Sequence, residues 1–440
     1  MVATLGAGGN AAAAAVTDRR FSTVVPAEVT GDSQVRELAD MDLALKLHYL
    51  RLVHYFPAGS AAAGLTVPEL KYPMFRLLDA YYPACGRIRR PEESGGRPVV
   101  KCNDSGVRVV EARCALALDE WLATAAVDQH RHVAPDKVLG PEMHFSPLVL
   151  VQFTRFKCGG LAIGFSWSHL LGDAVSATNF IKMYGQFLSG NPPPKPQQPP
   201  ATVPEKPAPA AATPPLSTRE VKTPQDCWLP TNELKMASFS FRISGSQVEL
   251  LRSKASGRTP FEAISALIWR CLAKLRSGHG EPRTISICKT NPSAARRSIM
   301  SNEQTIGVVR AGADDLPPSQ APLSELAALI AEGFVDETGA VEGQVAAGTA
   351  AGPDLLFYGA NLTFVDMEGI EAYGLEVKGR TPVFVNYSIE GVGDEGAVLV
   401  FQGPKATAEE NAAGRTVNVI LPEDEVLQLR KELEENWGIA

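Results

Sequence analysis

The chain has 440 residues, of which 45% are hydrophobic and 21% charged, the composition of an ordinary globular protein. Its formal net charge of -7 supplies no basic excess to neutralise a phosphate polymer, which argues against a nucleic-acid-binding protein. Since no uncharged apolar run reaches the ~18 residues of a transmembrane helix, the sequence predicts no membrane-spanning segment. At ~100–200 residues per domain, the length suggests two or three domains, and we predict two.

Two stretches of biased composition divide the chain. Residues 1–20 begin with an alanine- and glycine-rich run that lacks the basic region of a secretory signal, and we predict a disordered leader there. Eleven of the twenty-five residues 191–215 are proline, which favours extended polyproline II and cannot pack a core. We predict that residues 191–216 form an interdomain crossover, which leaves residues 21–190 and 217–440 as the two domains.

The seven cysteines form no CxxC pair and mostly interrupt apolar strand or helix patterns. This distribution indicates buried thiols in a reducing compartment, and we predict no metal site.

In the first half, the alternation of apolar residues at positions 43, 45, 47 and 49 predicts a strand that ends at residues 55–57. Residues 148–156 and 161–167 read as two strands joined by a tight turn at residues 158–160. Apolar residues then recur at helical spacing after Asp173, which predicts an amphipathic helix.

The second half opens with an alternating segment around Phe241, followed by a capping box that starts at Thr259 and predicts a helix to about Arg276. Residues 383–389, 397–401 and 416–421 read as strands, and the last segment reads as an amphipathic helix. The predicted fold class is α/β, with mixed sheets in both halves.

The candidate site is the sequence HLLGD at residues 169–173, which falls between a predicted buried strand and the helix that follows. An imidazole at a cleft can take a proton from a hydroxyl or amine that attacks a thioester, without a metal or a covalent intermediate. His169 is therefore the candidate general base. Asp173 is assigned to structural support of the motif, either by capping the next helix or by pairing with an arginine. The alternative is that the spacing of this motif arose by chance and that His169 is an ordinary core or turn residue whose hydrogen bonds are made within the protein.

Several further motifs share an order with one known family. The segments LADMD at 38–42, YPACGR at 82–87 and TPFE at 259–262, together with HLLGD at 169–173, resemble motifs of the plant BAHD (HxxxD) acyltransferases. The resemblance covers essentially all of the chain outside the leader and the crossover. It implies two domains of the chloramphenicol acetyltransferase-like type, a monomer with a cleft between its halves and His169 reached from both faces. No permanently bound cofactor is implied, and acyl-coenzyme A is the candidate substrate.

The chain also departs from the family pattern. Residues 376–380 read EVKGR where the family has Asp-Phe-Gly-Trp-Gly, and Ala174 stands where a glycine is usual. These departures, together with VNYSI at 385–389 and VGDEGA at 392–397, resemble the eceriferum/glossy branch. The resemblance implies a role in very-long-chain fatty acid elongation for cuticular wax. Members of that branch assist the elongase condensing enzyme of the endoplasmic reticulum.

The resemblance leaves two functions open. The chain is either a non-catalytic elongase accessory, cytosolic and held at the endoplasmic reticulum by its partner, or an acyl-CoA-dependent acyltransferase with His169 as general base. We favour the accessory, because the segment at 376–380 has lost the tryptophan and all but one glycine of the catalytic members while the His169 motif remains.

Overall fold

A computed structural model describes residues 8–31, 33–91, 96–124, 126–135, 145–192, 214–222, 232–278, 280–291, 299–348, 352–404 and 413–439. The strands are β1 Val16–Val24, β2 Val35–Glu37, β3 Tyr49–Phe56, β4 Arg87–Arg89, β5 Val99–Lys101, β6 Val107–Cys114, β7 Val149–Phe156, β8 Leu161–Ser168, β9 Arg219–Glu220, β10 Met236–Ile243, β11 Thr284–Lys289, β12 Thr305–Arg310, β13 Val335–Asp336, β14 Leu355–Leu356, β15 Leu362–Met367, β16 Phe384–Glu390, β17 Ala397–Gln402 and β18 Arg415–Pro422. The α-helices are α1 Gly8–Ala15, α2 Asp40–Ala44, α3 Ala61–Gly64, α4 Val67–Ala80, α5 Leu118–Thr124, α6 Ala174–Leu188, α7 Gly245–Lys254, α8 Pro260–Leu275, α9 Leu323–Glu332, α10 Thr338–Ala347 and α11 Glu423–Trp437.

Two large mixed sheets organise these elements. The first has the strand order β1-β6-β7-β8-β3-β16 and the second β10-β18-β17-β15-β11-β12-β13. One core lies between the first sheet and helices α4 and α6, where Trp167 and Phe165 pack on Phe180. The other lies between the second sheet and helices α7, α8, α9 and α11. Each sheet thus buries one face under helices, as α/β layer packing requires.

Strand β16 links the two halves. It follows the predicted crossover in sequence, yet it pairs antiparallel with β3 of the first sheet, with Asn386 opposite Val53. Its other edge meets the second sheet, where the Asn386 side-chain amide donates to Ser240 Oγ at 2.5 Å. The second half therefore completes the first sheet. The predicted domain boundaries stay a prediction, and residues 193–213 of the crossover lie outside the described residues.

The locally encoded elements are confirmed. Strands β7 and β8 form the predicted antiparallel hairpin, and α6 follows Asp173. Helix α8 begins with the predicted capping box, in which the Glu262 side chain accepts from the Thr259 backbone N–H at 2.8 Å. In the described part of the chain, no helix is long and apolar enough to cross a bilayer.

The predicted strand over residues 43–48 is wrong. Residues 40–44 form helix α2, and β3 begins only at Tyr49. The Asp42 carboxylate accepts the backbone N–H of Ala39 at 3.1 Å, which favours a helical first turn. Lys46 and His48 are as buried as the apolar residues between them, so the alternation did not mark an exposed face.

The predicted disordered leader is also wrong in part, because residues 8–15 form α1 and β1 starts at Val16. Strand β1 pairs antiparallel with β6 and places Val24 opposite Val107. The hydrogen-bonding partner of β1 lies about ninety residues further along the chain, and composition alone cannot reveal such a pairing. Residues 1–7 lie outside the described residues.

The divergent segment at residues 376–380 forms a tight turn on helix α6. Val377 N–H donates to the Arg380 carbonyl at 2.9 Å, with Lys378 and Gly379 at positive φ between them. The Lys378 N–H donates to Ser189 Oγ at 2.8 Å, just beyond the end of α6. Gly185 of α6 gives the room for this approach, because an added Cβ would lie 2.6 Å from the Glu376 carbonyl oxygen.

We expect Gly185→Ala to lower the free energy of unfolding by about 1–3 kcal/mol, the usual cost of overpacking. Inside a helix alanine otherwise stabilises by ~0.5–1 kcal/mol relative to glycine, so a loss reports the docked turn. Thermal unfolding measures the effect, and Gly64→Ala is the control, since its Cβ would meet nothing within 4 Å. Equal melting temperatures for the two variants would contradict docking of residues 376–380 on α6.

Candidate functional site

The HLLGD motif lies where the first half touches the second. His169 begins a short 3-10 turn directly after β8, and its backbone N–H donates to the His48 carbonyl at 3.1 Å. Gly172 follows at φ +152°, and a Cβ there would lie 2.9 Å from the backbone nitrogen of Ser301. Glycine thus lets the loop that contains Ser301, from the second half, lie directly on the motif.

The imidazole of His169 is enclosed, with 1% of the residue exposed. Its Nδ1 lies 2.9 Å from Asn302 Oδ1, and its Nε2 lies 3.0 Å from the Tyr358 hydroxyl. Both partners come from the second half of the chain. The expected access to His169 from both faces is therefore wrong for this conformation, although the residue does lie between the two halves.

The hydrogen-bond network determines which nitrogen carries the proton. The Asn302 amide nitrogen donates to Asp42 Oδ1 and to the His169 carbonyl, both at 2.8 Å. Asn302 Oδ1 must therefore face the imidazole as an acceptor, and Nδ1 of His169 must donate to it. Nε2 then holds the imidazole lone pair and accepts from the Tyr358 hydroxyl.

The network continues to a partly buried charge pair in the first half. Asp42 Oδ2 lies 3.5 Å from the Arg36 guanidinium, which also donates to the Met300 carbonyl at 3.3 Å. Asp42, Asn302, His169 and Tyr358 thus form one hydrogen-bond network, which the ion pair of Asp42 extends to Arg36. This network crosses from the first half to the second and fixes the orientation of the imidazole. Hydrogen-bond partners of a catalytic or metal-bound histidine act in the same way.

Burial lowers the pKa of His169 to about 4, and the Asn302 hydrogen bond opposes that shift. The imidazole is therefore neutral at cellular pH, as a general base must be. Such a low pKa also makes it a weak base, because proton transfer is most effective near the operating pH.

Asp173 caps helix α6. Its Oδ1 accepts the backbone N–H groups of Val175 and Ser176, both at 3.0 Å, and its Oδ2 accepts the Glu303 N–H at 3.2 Å. Burial raises the pKa of the Asp173 carboxyl to about 6, although these three N–H groups lower it. Of the two predicted alternatives the backbone amides are the partners, and no ion pair of Asp173 occurs within the described ranges.

A cavity of about 290 Å³ separates the two sheets near this site. Its wall includes Tyr49 and Arg51 of β3, Ser238 of β10 and Ser388 of β16. A second cavity, of about 540 Å³, lies beside α6 and residues 370–376. His169 lines neither of these two cavities.

The partners of His169 were not found by sequence reasoning. Asp42 lies in the segment quoted for its resemblance, but it had no assigned role, and nothing local distinguishes Asn302 or Tyr358 from other polar loop residues. Within the described residues, no group of three or more His, Cys, Asp or Glu side chains is placed to hold a metal ion.

The model of the Transferase family matches residues 14–305. Protein ECERIFERUM 2 of Arabidopsis thaliana is 40% identical over 434 residues, which are 95% of this chain and 98% of the relative. The chain belongs to the Transferase (BAHD) family. The resemblance to the eceriferum branch is thereby confirmed.

Solved structures confirm the fold class. Vinorine synthase superposes with a TM-score of 0.70 at 18% identity, over 95% of this chain and 97% of that one. F. graminearum TRI101, solved with coenzyme A and deoxynivalenol, gives a TM-score of 0.67 at 14% identity, over 92% of this chain and 98% of that one. At such identities these structures show a shared fold alone.

We expect Asp173→Asn to lower the free energy of unfolding by about 1.5–3 kcal/mol, because an amide nitrogen replaces one of the oxygens that accept charge-assisted bonds. Chemical unfolding at pH 7 measures the loss. Asp119→Asn, at an exposed position of α5, is the control. Unchanged stability of the Asp173 variant would contradict the structural role.

Stability should fall as the pH drops from about 6.5 to about 4. Burial lowers the pKa of His48 and His130 to about 3 and that of His54 and His169 to about 4. In that pH range each of these histidines takes up a proton when the protein unfolds. Its contribution to the free energy of unfolding is therefore complete above the histidine pKa of the unfolded chain and is lost on acidification.

Urea unfolding across this pH range measures the slope. The raised pKa of Asp173 changes the free energy of unfolding with pH in the opposite direction. The slope is therefore compared between a histidine variant and the wild-type protein. His54→Gln should reduce the slope by about 1.4 kcal/mol per pH unit, and an unchanged slope would contradict the neutral, buried state of His54.

Proposed function

We propose that this BAHD protein promotes the elongation of very-long-chain fatty acyl chains for cuticular wax as an accessory to an elongase condensing enzyme. The observation that supports this proposal is the enclosed state of His169, whose two ring nitrogens are both hydrogen-bonded to side chains of the protein itself.

A general base needs its lone pair within about 2.6–3.2 Å of the proton that it removes. In His169 the lone pair of Nε2 faces the Tyr358 hydroxyl at 3.0 Å, so an acceptor alcohol or amine has no free nitrogen to approach. Transferase chemistry would first require displacement of a buried tyrosine.

The motif has a structural use that does not depend on catalysis. Gly172 admits the Ser301 backbone, and the Ser301 N–H donates to Ser176 Oγ at 3.0 Å. Asp173 caps α6 and accepts from Glu303. Substitution at these positions would disturb the contact between the halves, which is a sufficient reason for HLLGD to persist in a protein without transferase activity.

The similarity to ECERIFERUM 2 over nearly the full length of both chains supports the assignment to wax formation through the family resemblance. The turn at residues 376–380 supports it as well, since it lacks the tryptophan and one of the two glycines of the catalytic pattern. In this proposal the condensing enzyme holds the protein at the endoplasmic reticulum, and the acyl chain derives from acyl-coenzyme A.

The second candidate is an acyl-CoA-dependent O- or N-acyltransferase with His169 as general base. Two observations favour it: a neighbour of the same fold was solved with coenzyme A, and the imidazole is neutral and well oriented. Substitution of His169 distinguishes the two candidates, because only the transferase needs the imidazole.

We expect His169→Gln to support production of acyl chains longer than the condensing enzyme makes alone. Glutamine can donate to Asn302 and accept from Tyr358, but it is not a base at neutral pH. The measurement is the acyl-chain length profile of cells that co-express the condensing enzyme with each variant, normalised to protein level.

His169→Ala is the companion variant, and it leaves Asn302 and Tyr358 without their partner at a cost of about 1–3 kcal/mol. His54→Gln, at another buried histidine, controls for loss of a core imidazole. The contrary outcome is a His169→Gln protein that folds normally and reaches wild-type level, but yields no acyl chains longer than the condensing enzyme makes alone. That outcome would favour the transferase over the accessory.

A further inference from the structure

We propose that Tyr358 is the residue that withholds His169 from acyl transfer, because its hydroxyl occupies the lone pair of the imidazole. This inference deepens the proposed function and rests on it: it names the group that keeps the motif chemically silent. Nothing in the sequence motifs pointed to this residue.

The direction of the hydrogen bond follows from the network. Asn302 uses its amide nitrogen for Asp42 and for the His169 carbonyl, so its oxygen can only accept from Nδ1. Nε2 is then unprotonated, and the Tyr358 hydroxyl at 3.0 Å must donate to it. The two rings lie with centroids 5.8 Å apart and an interplanar angle of 32°.

The Tyr358 hydroxyl has no comparable alternative partner in the described part of the molecule. The residue is 2% exposed, and the other polar atom near its oxygen is the Cys288 sulfur at 4.0 Å. A thiol is a weak hydrogen-bonding group, so release of His169 would leave a buried hydroxyl poorly satisfied. Burial also raises the pKa of Tyr358, which keeps it protonated as a donor.

The backbone around Tyr358 is held by the turn that precedes β3. Lys46 is buried there, donates to the Gly352 carbonyl at 3.0 Å and pairs with Asp354 at 2.9 Å. His48 Nε2 accepts the Phe357 N–H at 3.0 Å, and its ring meets the Tyr358 ring edge-on with centroids 5.0 Å apart.

The same turn also positions His169, whose backbone N–H donates to the His48 carbonyl. One short segment, residues 46–48, therefore holds both members of the Tyr358–His169 pair. This common support makes their hydrogen bond a built feature of the interface between the halves.

A donor to Nε2 stabilises the neutral imidazole and disfavours the protonated form. Tyr358→Phe removes the hydroxyl and keeps the ring, so it should free the lone pair without opening a large cavity. The pKa of His169 should then rise by about one unit, the change expected from loss of one such hydrogen bond.

The experiment uses the full chain labelled with [¹⁵N]histidine and long-range ¹H–¹⁵N spectra. The chain has seven histidines, so the His169 signals are identified as those absent from His169→Gln. The matched control is Tyr387→Phe, which removes another buried tyrosine hydroxyl, one that lies 3.2 Å from Thr178 Oγ1.

In the wild-type protein we expect His169 protonated on Nδ1 and unprotonated on Nε2. In Tyr358→Phe the chemical shift of Nε2 should move further toward that of an imidazole nitrogen without a hydrogen-bond donor, and the pKa of His169 should rise. Tyr387→Phe should change neither quantity. A wild-type His169 protonated on Nε2 would overturn the proposal even if the variant failed to fold. So would His169 signals that Tyr358→Phe leaves unchanged.

The chain-length assay separates this inference from the proposed function. Tyr358→Phe should retain elongation, since the accessory does not use the base. Loss of elongation in Tyr358→Phe but not in His169→Gln would overturn the view that the hydroxyl acts only through His169. Loss in His169→Gln would instead overturn the accessory function, while the spectra would still decide the role of Tyr358.

Discussion

The contact between the HLLGD turn and the loop that contains Ser301 and Asn302 is the interaction on which the rest of the site depends. Gly172 permits the approach, Asp173 accepts from Glu303, and Asn302 joins His169 to Asp42. All of these polar groups are buried or nearly so, and unpaired they would each cost about 1–3 kcal/mol. Their mutual satisfaction fixes the relative position of the two halves and, with it, the orientation of the imidazole.

The same network affects His169 in two ways, one that suits catalysis and one that hinders it. It fixes the tautomer and keeps the ring neutral, as many catalytic histidines require. It also consumes the lone pair, because Tyr358 donates to Nε2 from a backbone segment held by Lys46 and His48. A motif that resembles a catalytic one can therefore persist for its structural use, and the presence of a histidine in HxxxD does not by itself indicate a base.

The division of the chain into halves is weaker in three dimensions than in sequence. Strand β16 belongs to the second half by position, yet it completes the first sheet beside β3 and contacts β10 and β18 of the second. The cavity between the sheets consequently has walls from both halves, including Arg51 and Ser388. Without the second half, the β3 edge of the first sheet would lack its hydrogen-bonding partner, so this sheet is complete only in the whole chain.

The sequence alone determined the elements whose signals are local: the β7–β8 hairpin, the cap of α8, the helix after Asp173 and the closing helix. Periodicity and capping residues act within a few positions, so they can be read without knowledge of the partners. The motif and its neighbours also located His169 and indicated the family. Only the tertiary structure decided that β1 joins the first sheet, that β16 crosses into it, and that Asn302 and Tyr358 enclose the imidazole. These outcomes depend on hydrogen bonds between residues separated by about 90 to 330 positions, and such pairings are set by the packing of whole sheets rather than by any local pattern.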